Sequence, residues 1–495
     1  MSSTTSRPHG LARNVFNLLM GQISTTILTI ILSAVVARTL GPSDFGVWYL
    51  VTAVATFTYV FVDWGHGAYV IREVARHPER TGELMGTVLV VRVVTALCLM
   101  APAVLIGWLL GYPVRTLALI ALNIVAWLPM YLGLSFGWVF RGKERMEFDA
   151  LIGVVLKFLS LVFGVAMLYN GGRISSLLAA QAAAGLVTVA VATFIYHRLH
   201  LGKLRLTWRM ARELAIGGAP MVTMTVAVAF QPYMDANMLS RLSTPAVMGW
   251  YGAAAAFTST LIAPAFVLAS AAYPRLAVAA SNRGEFRVLL QDALRPLLFV
   301  AVFGAVGTYL FADVAVNMIY SIEKFGPTAT ILRAFTPAMM LVYVDMMLGT
   351  AILAAGQALR LATAKIVSIG VIVALEIVLI PWFQTHYGNG ALAVMASFAI
   401  GELVMVAAAL HLLPRGTLHA SILLDVVRAL AGGAGTVLVM RTLSHVSPFV
   451  TVPLSVMVFS AFAIAFGLIR RSDLAALARL RGQGAAATPA PVANA

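Results

Sequence analysis

Charged residues are scarce in this 495-residue sequence and make up 11% of it. Soluble globular proteins carry about 25% charged residues, so this scarcity excludes an ordinary water-soluble protein. Apolar residues take the place of the missing charges, because 61% of the sequence is hydrophobic and its mean hydropathy is +0.92. A chain of this composition requires a lipid bilayer as its solvent.

Cysteine is nearly absent, and the short motifs of hydrolytic or phosphate chemistry are absent as well. The single cysteine, Cys98, lies inside an apolar run, which excludes an intrachain disulfide and a thiolate metal site. The sequence has no HExxH pair, no long outer loop with paired carboxylates and no phosphate-binding glycine loop. These absences disfavour a membrane glycosyltransferase. We expect no cofactor, no metal and no enzymatic activity.

Acidic residues are outnumbered, with 19 Asp and Glu against 34 Lys and Arg, which gives a net charge of +15. In a soluble domain such a surplus would suggest nucleic acid, but here the basic residues recur in short groups between apolar runs. These groups fall in alternate loops, which is the pattern of loops retained in the cytoplasm. The alternation predicts that both termini are cytoplasmic and that nucleic acid is not a partner.

Apolar runs long enough to cross a bilayer recur along the chain. A hydrocarbon core of about 30 Å requires roughly 20 apolar residues in a helix. This length predicts an all-α membrane protein with about 14 transmembrane helices. The predicted spans are 14–37, 45–65, 84–110, 115–139, 148–169, 174–197, 214–238, 246–272, 290–319, 328–354, 361–383, 389–413, 418–441 and 447–469.

An internal repeat relates the two halves of the chain at a constant offset of 203 residues. The matched pairs are Arg38 with Arg241, Pro42 with Pro245, Gly46 with Gly249, Trp48 with Tyr251, Arg72 with Arg275 and Arg80 with Arg283. Six spans separate the copies, so both copies have the same topology and a pseudo-twofold axis along the membrane normal relates them. We therefore predict two six-helix lobes plus two C-terminal helices. The predicted segments are 1–199 (helices 1–6), 200–414 (helices 7–12), 415–471 (helices 13 and 14) and a disordered tail, 472–495.

Six sequence motifs resemble those of one membrane-protein family. In the first half they are ARTLGPSDFGVWYL (37–50), DWGHGAYVIREVAR (63–76) and FRGKERM (140–146). From residue 233 onward they are YMDANMLSRLSTPAVMGWY (233–251), FGPTATILRAFTP (325–337) and LAAGQALRLATAK (353–365). In order and spacing the motifs resemble the polysaccharide and O-antigen flippases of the multidrug/oligosaccharidyl-lipid/polysaccharide exporter superfamily. The likeness extends over nearly the whole chain.

The resemblance implies a transport function. It implies a protein that flips lipid-linked (undecaprenyl-pyrophosphate) oligosaccharide repeat units across the bacterial cytoplasmic (inner) membrane by alternating access, for synthesis of surface polysaccharides such as lipopolysaccharide. The implied partners are this polyprenyl-pyrophosphate-linked oligosaccharide, membrane lipids and the polysaccharide polymerase machinery. A lipid II flippase and a multidrug or cation antiporter of the same superfamily stay open as alternatives.

Basic residues inside the predicted spans are candidate substrate-binding groups. A charge at mid-bilayer costs roughly 2.5 to 3.5 kcal/mol on insertion scales, so we expect each such residue to have a structural or functional role. Lys157, in the middle of span five, and Arg92, in span three, are predicted to bind pyrophosphate, with a structural ion pair as the alternative. Arg38, Arg241 and Arg333 lie near the outer ends of their spans. We predict that they receive the headgroup after reorientation, or else snorkel to the interface.

Acidic residues inside the spans are candidate ion-coupling groups. They are Glu376, Glu402, Asp345 and Asp235. A buried carboxyl group that alternates between its protonated and ionised forms, as access switches between the two sides, would couple transport to protons. A structural ion pair is the alternative for Glu376 and Glu402. Asp235 has a different alternative, which is to fix the contact between the lobes.

Overall fold

The computed structural model describes residues 8–413, 417, 420–443 and 445–467, and every regular element in this part of the chain is helical. Helices suit lipid because each backbone N–H and C=O finds its partner within the same segment. The helices are α1 (Pro8–Asp63), α2 (His66–Arg76), α3 (Thr81–Leu109), α4 (Val114–Gly142), α5 (Met146–Tyr169), α6 (Ile174–Arg198), α7 (Trp208–Leu242), α8 (Pro245–Ala279), α9 (Arg283–Ile319), α10 (Ile322–Ala354), α11 (Ala358–Tyr387), α12 (Ala391–Leu412), α13 (Ala420–Thr442) and α14 (Pro448–Ala465). The tail predicted to be disordered, 472–495, lies outside the described residues.

Twelve helical stretches in the described part of the chain are long and apolar enough to cross a bilayer. One of them, Phe16–Arg76, covers nearly all of the first predicted span and the whole of the second. Helix α7, which corresponds to the seventh predicted span, is not among the twelve. The prediction of an all-α, multi-pass membrane protein is confirmed.

The first two predicted spans form one kinked helix, α1. Its backbone leaves helical geometry at Gly41, where φ is 74° and ψ is 173°. Glycine adopts this positive φ readily because it has no Cβ. Pro42, which follows, has no N–H to donate to the preceding turn. The Gly-Pro pair therefore divides α1 into two halves that run in different directions.

The sequence did not predict α2, which lies between the predicted spans two and three. Val70 and Val74 on this helix are buried, so it packs one face against the protein. Next to it, Arg80 bonds two carboxylates, at 3.1 Å to Glu73 and at 2.7 Å to Glu213 at the start of α7. The hydrogen bond from Arg80 lowers the pKa of the Glu213 carboxyl below its usual value. This network joins α2 to α7 through Arg80, the residue just before α3, and it lies outside the predicted spans.

The described helices belong to two compact units. Unit 1 comprises Met1–Ala256, Val316–Thr328 and Glu376–Ala393, and unit 2 comprises Phe257–Ala315, Ala329–Leu375 and Val394–Ala495. In unit 1, α1 packs against α5, and α4 packs against α6. In unit 2, Phe459 of α14 packs on Phe299 and Phe303 of α9, with ring centroids 5.2 and 5.6 Å apart. The predicted division into lobes 1–199 and 200–414 stays a prediction.

Within unit 1, the second half of α1 crosses the start of α8 through two glycines. A Cβ on Gly46 would collide with the carbonyl of Pro245, and a Cβ on Gly249 would collide with the carbonyl of Pro42. These four residues are two matched pairs of the 203-residue repeat. The contact is therefore reciprocal, as expected for a twofold relation between the copies.

Candidate functional site: charges inside the helical bundle

Arg92 of α3 is enclosed by protein, with 1% of its side chain exposed. Its guanidinium forms an ion pair with Asp63 at the end of α1. It also donates to the carbonyl of Tyr131 at 2.5 Å and to the hydroxyl of Ser135 at 2.6 Å. The ring of Trp138 lies 4.3 Å from the guanidinium carbon. These partners bring α1, α3 and α4 together, and they correspond to the ion-pair alternative that the sequence left open for Arg92.

Lys157 of α5 has no such partners. It is half-buried, and it makes no hydrogen bond or ion pair with another residue in the described part of the chain. Helix α5 lies along the first half of α1, because a Cβ on Gly153 would touch Thr25 at 3.6 Å and one on Gly164 would touch Leu32 at 3.1 Å. Lys157 therefore lies between the levels of Thr25 and Leu32, where α1 carries hydroxyl groups.

Asp235 of α7 and Glu376 of α11 form a pair of buried acids in unit 1. Their carboxyl groups are close enough to interact directly. Tyr251 donates a hydrogen bond to Oδ2 of Asp235 at 2.8 Å, and Tyr49 packs edge-on against Tyr251 with the ring centroids 5.8 Å apart. Beyond the interaction between the two carboxyl groups, Oδ1 of Asp235 and both carboxyl oxygens of Glu376 have no hydrogen-bond partner among the described residues.

This acid pair cannot hold two negative charges at low cost. No lysine or arginine in the described part of the chain bonds either carboxyl group. Two adjacent carboxylates repel each other, and burial of both side chains makes their charged forms more costly. The arrangement therefore favours one shared proton or one bound monovalent cation.

A second group of charged residues inside the predicted spans lies in unit 2, and it consists of two acids and one lysine. Lys365 of α11 lies 3.2 Å from Oε1 of Glu402, whose side chain is 3% exposed. Asp345 of α10 is close enough to interact with both of these charges, and its buried Oδ1 has no hydrogen-bond partner among the described residues. All three residues lie about 10 to 15 Å from the nearer ends of their helices. Three helices thus bring three charges to a similar depth.

The predicted headgroup residues Arg38 and Arg241 each bond the end of a helix from the other repeat copy. Arg38 donates to the carbonyls of Met318 and Ile319 at 2.6 and 2.9 Å, where α9 ends. Arg241 donates to the carbonyl of Gly111 at 3.1 Å, just after α3. Cations stabilise helix C-termini because the last carbonyls have no helical partners. Both arginines are also exposed, and their headgroup role stays a prediction.

Arg333 of α10 is held by its neighbours in unit 2. Its guanidinium forms an ion pair with Asp313 of α9, and its Nε donates to the carbonyl of Tyr309 at 3.2 Å. The Tyr309 hydroxyl in turn accepts a hydrogen bond from Arg441 of α13 at 2.8 Å. Binding of a headgroup by Arg333, as predicted, would have to compete with the Asp313 carboxylate.

Known proteins resemble this chain in sequence and in fold. A relative from Escherichia coli (strain K12), named "Putative O-antigen transporter", is 23% identical over 304 residues, which are 59% of this chain and 71% of that protein. The structure titled "Lipid II flippase MurJ, inward closed conformation" matches with a TM-score of 0.71 at 14% identity, over 90% of this chain and 98% of that chain. An inward-facing multidrug resistance MATE family transporter of the MOP superfamily matches with a TM-score of 0.64 at 14% identity, over 84% and 98% of the two chains.

This chain therefore shares the fold of these two solved transporters. Residues 11–279, more than half of the chain, match the family described as polysaccharide biosynthesis protein. The chain belongs to the polysaccharide biosynthesis protein family.

Proposed function

We propose that this protein flips polyprenyl-pyrophosphate-linked oligosaccharide repeat units across the bacterial cytoplasmic membrane, for synthesis of surface polysaccharide. Two six-helix lobes, 1–199 and 200–414, alternate access between the two sides, and both termini lie in the cytoplasm. The family membership and the name of the E. coli relative support the substrate class. The polysaccharide polymerase machinery is the partner that would receive the flipped unit.

Lys157 carries this proposal. A lysine in the middle of an apolar helix is costly, and no carboxylate in the described part of the chain offsets its charge. An anionic cargo would supply the missing partner, because an ammonium group binds phosphate oxygens as a compact positive charge. Thr25 and Thr29 of α1 lie near its level and add hydroxyl oxygens that can contact a sugar.

The Asp235–Glu376 pair is the coupling site in this proposal. Two carboxyl groups without a bonded cation exchange one proton or one monovalent cation as the surroundings of the pair change. Tyr251 orients Asp235 through its hydrogen bond. Asp345 and Glu402 are weaker candidates for coupling, because Lys365 already offsets one of their charges.

A lipid II flippase is the second candidate function, and the likeness to MurJ over 90% of the chain favours it. Lipid II also has a pyrophosphate, so Lys157 suits either cargo. A multidrug antiporter is the third candidate, supported by the likeness to the MATE transporter. Its drugs are often cationic, however, and a lysine would repel them.

The test is transport in proteoliposomes. A fluorescent undecaprenyl-pyrophosphate oligosaccharide is supplied to one leaflet, and its appearance in the other leaflet is measured for wild type, Lys157→Ala and Lys157→Arg. Lys203→Ala is the matched control, because Lys203 is exposed and lies outside the predicted spans. We expect Lys157→Ala to reduce flipping at least tenfold, Lys157→Arg to retain part of it, and the control to match wild type.

The same assay distinguishes the candidate functions. Unlabelled lipid II that competes more strongly than the oligosaccharide lipid would favour the lipid II flippase, and transport of a cationic dye alone would favour drug export. Equal flipping by wild type and Lys157→Ala would remove the lysine from the proposal. Imposing and collapsing proton and sodium gradients identifies the coupling ion.

A further inference from the structure

A surface groove of about 360 Å³ runs between α11 and α12 in unit 2. Arg360 and His411 lie at its polar end, together with a threonine. Its walls are short apolar side chains, among them Val367, Val404 and Ala408. No acidic residue of the described part of the chain lines the groove.

The polarity of the groove changes along the helix axes. Arg360 is in the first turn of α11 and His411 is in the last turn of α12, so both lie at the same end of this helix pair. Val367 and Val404 lie about two turns further along, roughly 10 Å deeper. Positive and polar groups thus lie at the helix ends, and the apolar walls lie toward the middle of the helices. A phospholipid has the same profile.

The basic groups at the polar end retain hydrogen-bonding capacity. One nitrogen of Arg360, Nη1, donates to the side chain of Gln357 at 3.2 Å, and its other guanidinium N–H groups make no further hydrogen bond within the described residues. His411 is exposed and has no bonded partner in that part of the chain. An arginine with free N–H groups can donate two parallel hydrogen bonds to a phosphate.

We propose that this groove binds one anionic phospholipid of the cytoplasmic leaflet. Its phosphate contacts Arg360 and His411, and one acyl chain lies along Val367, Val404 and Ala408. The alternation of basic loops predicts that this end of α11 and α12 is cytoplasmic, where the bilayer surface is negatively charged. The proposal rests on the predicted cytoplasmic orientation of these helix ends and not on the identity of the cargo.

The test measures lipid binding to the full-length protein in detergent. Phosphatidylglycerol or phosphatidylcholine with identical acyl chains is added, and bound lipid is measured by native mass spectrometry together with the midpoint of thermal unfolding. We expect phosphatidylglycerol to bind more tightly to wild type and to raise the midpoint further. Arg360→Ala should weaken phosphatidylglycerol binding about fivefold and phosphatidylcholine binding less, because the choline cation already offsets the phosphate charge of the second lipid.

Two further variants separate charge from groove shape. Arg283→Ala, at the start of α9, removes an exposed arginine that does not line the groove, and it should bind phosphatidylglycerol like wild type. Ala408→Trp fills the groove, so it should reduce the binding of both lipids. Equal loss in Arg360→Ala and Arg283→Ala, or no preference of wild type for phosphatidylglycerol, would overturn the proposal. Displacement of phosphatidylglycerol by undecaprenyl pyrophosphate at equal concentration would also overturn it, because the groove would then be a cargo site.

Discussion

Unit 1 contains the Asp235–Glu376 pair, and unit 2 contains the Asp345–Lys365–Glu402 cluster. The two sites differ in how the charge of their carboxyl groups is offset. Each brings two carboxyl groups together on helices that the sequence predicts to span the membrane. In unit 2 a lysine 3.2 Å from Glu402 offsets one charge, whereas in unit 1 a tyrosine hydroxyl is the bonded neighbour. Both sites contain two acids, but only the site in unit 2 also contains a lysine, so the two sites differ in net charge when their acids are ionised.

The difference shows which of these acids has a cationic side chain of the protein as its partner. Glu402 has Lys365, so its ionised form is stabilised without any ligand. Glu376 lacks such a partner, and its pair requires a proton or cation from outside. The same Glu→Gln substitution should therefore affect the two regions in different ways, and the predictions below follow from that contrast.

Removal of Lys365 should have the largest effect on stability. Lys365→Met leaves two carboxyl groups in unit 2 without their cation. Breaking a buried ion pair from one side costs 3 kcal/mol or more, and partial exposure of this lysine lowers the expected cost to about 2 to 3 kcal/mol. The measurement is the free energy of unfolding in detergent, with Lys203→Met as the control. A cost as small as that of the control would mean that the pair contributes little.

Glu402→Gln should cost somewhat less, about 1 to 2 kcal/mol, because Asp345 remains to interact with the unpaired Lys365. The double variant Lys365→Met/Glu402→Gln removes both partners. We expect it to be more stable than the sum of the single losses predicts, by about 1 kcal/mol in a double-mutant cycle. Strictly additive losses would show that the two side chains do not act as a pair.

Tyr251→Phe tests the neighbour of the acid pair in unit 1. It removes the hydroxyl that donates to Asp235 at 2.8 Å, and we expect a loss of about 1 kcal/mol. The matched control is Tyr387→Phe, because the Tyr387 side chain is 63% exposed. Flipping by Tyr251→Phe should also respond less steeply to the imposed ion gradient. A response identical to that of wild type would exclude Tyr251 as a positioning residue for coupling.

Glu376→Gln should change the unfolding free energy least, within about 0.5 kcal/mol, since it relieves the repulsion between two carboxyl groups. Its effect on transport should be large: flipping no longer accelerates when a proton or sodium gradient is imposed. Glu323→Gln, an exposed glutamate at the start of α10, is the control for the assay. Strong destabilisation together with unchanged gradient dependence would reverse the comparison between the two regions.

Most of the fold could be predicted from the length and order of the apolar runs. Backbone groups in lipid must bond within their own segment, so each run of about 20 apolar residues indicates a helix. The kink at Gly41 was also predictable as a break, because Gly-Pro disfavours a regular helix. Helix α2 was not predicted, since 11 residues cannot cross a bilayer and so escape a search for spans.

The positions of intramembrane charges could be predicted, but their partners could not. Arg92 meets Asp63, and Asp235 meets Glu376, from helices that the sequence does not place side by side. Lys365 lies inside the predicted span 361–383, about two turns after the start of α11 at Ala358, but nothing in the sequence pairs it with Glu402.

The reciprocal crossing of Gly46 and Gly249 has the form of an interface between two identical subunits. In a homodimer, one substitution would alter both glycine contacts, and assembly would depend on protein concentration. Here the two contacts belong to one chain, so each can be changed alone, and their association is intramolecular at a fixed effective concentration. Gly46→Leu and Gly249→Leu would thus disturb the two halves of one symmetric joint separately.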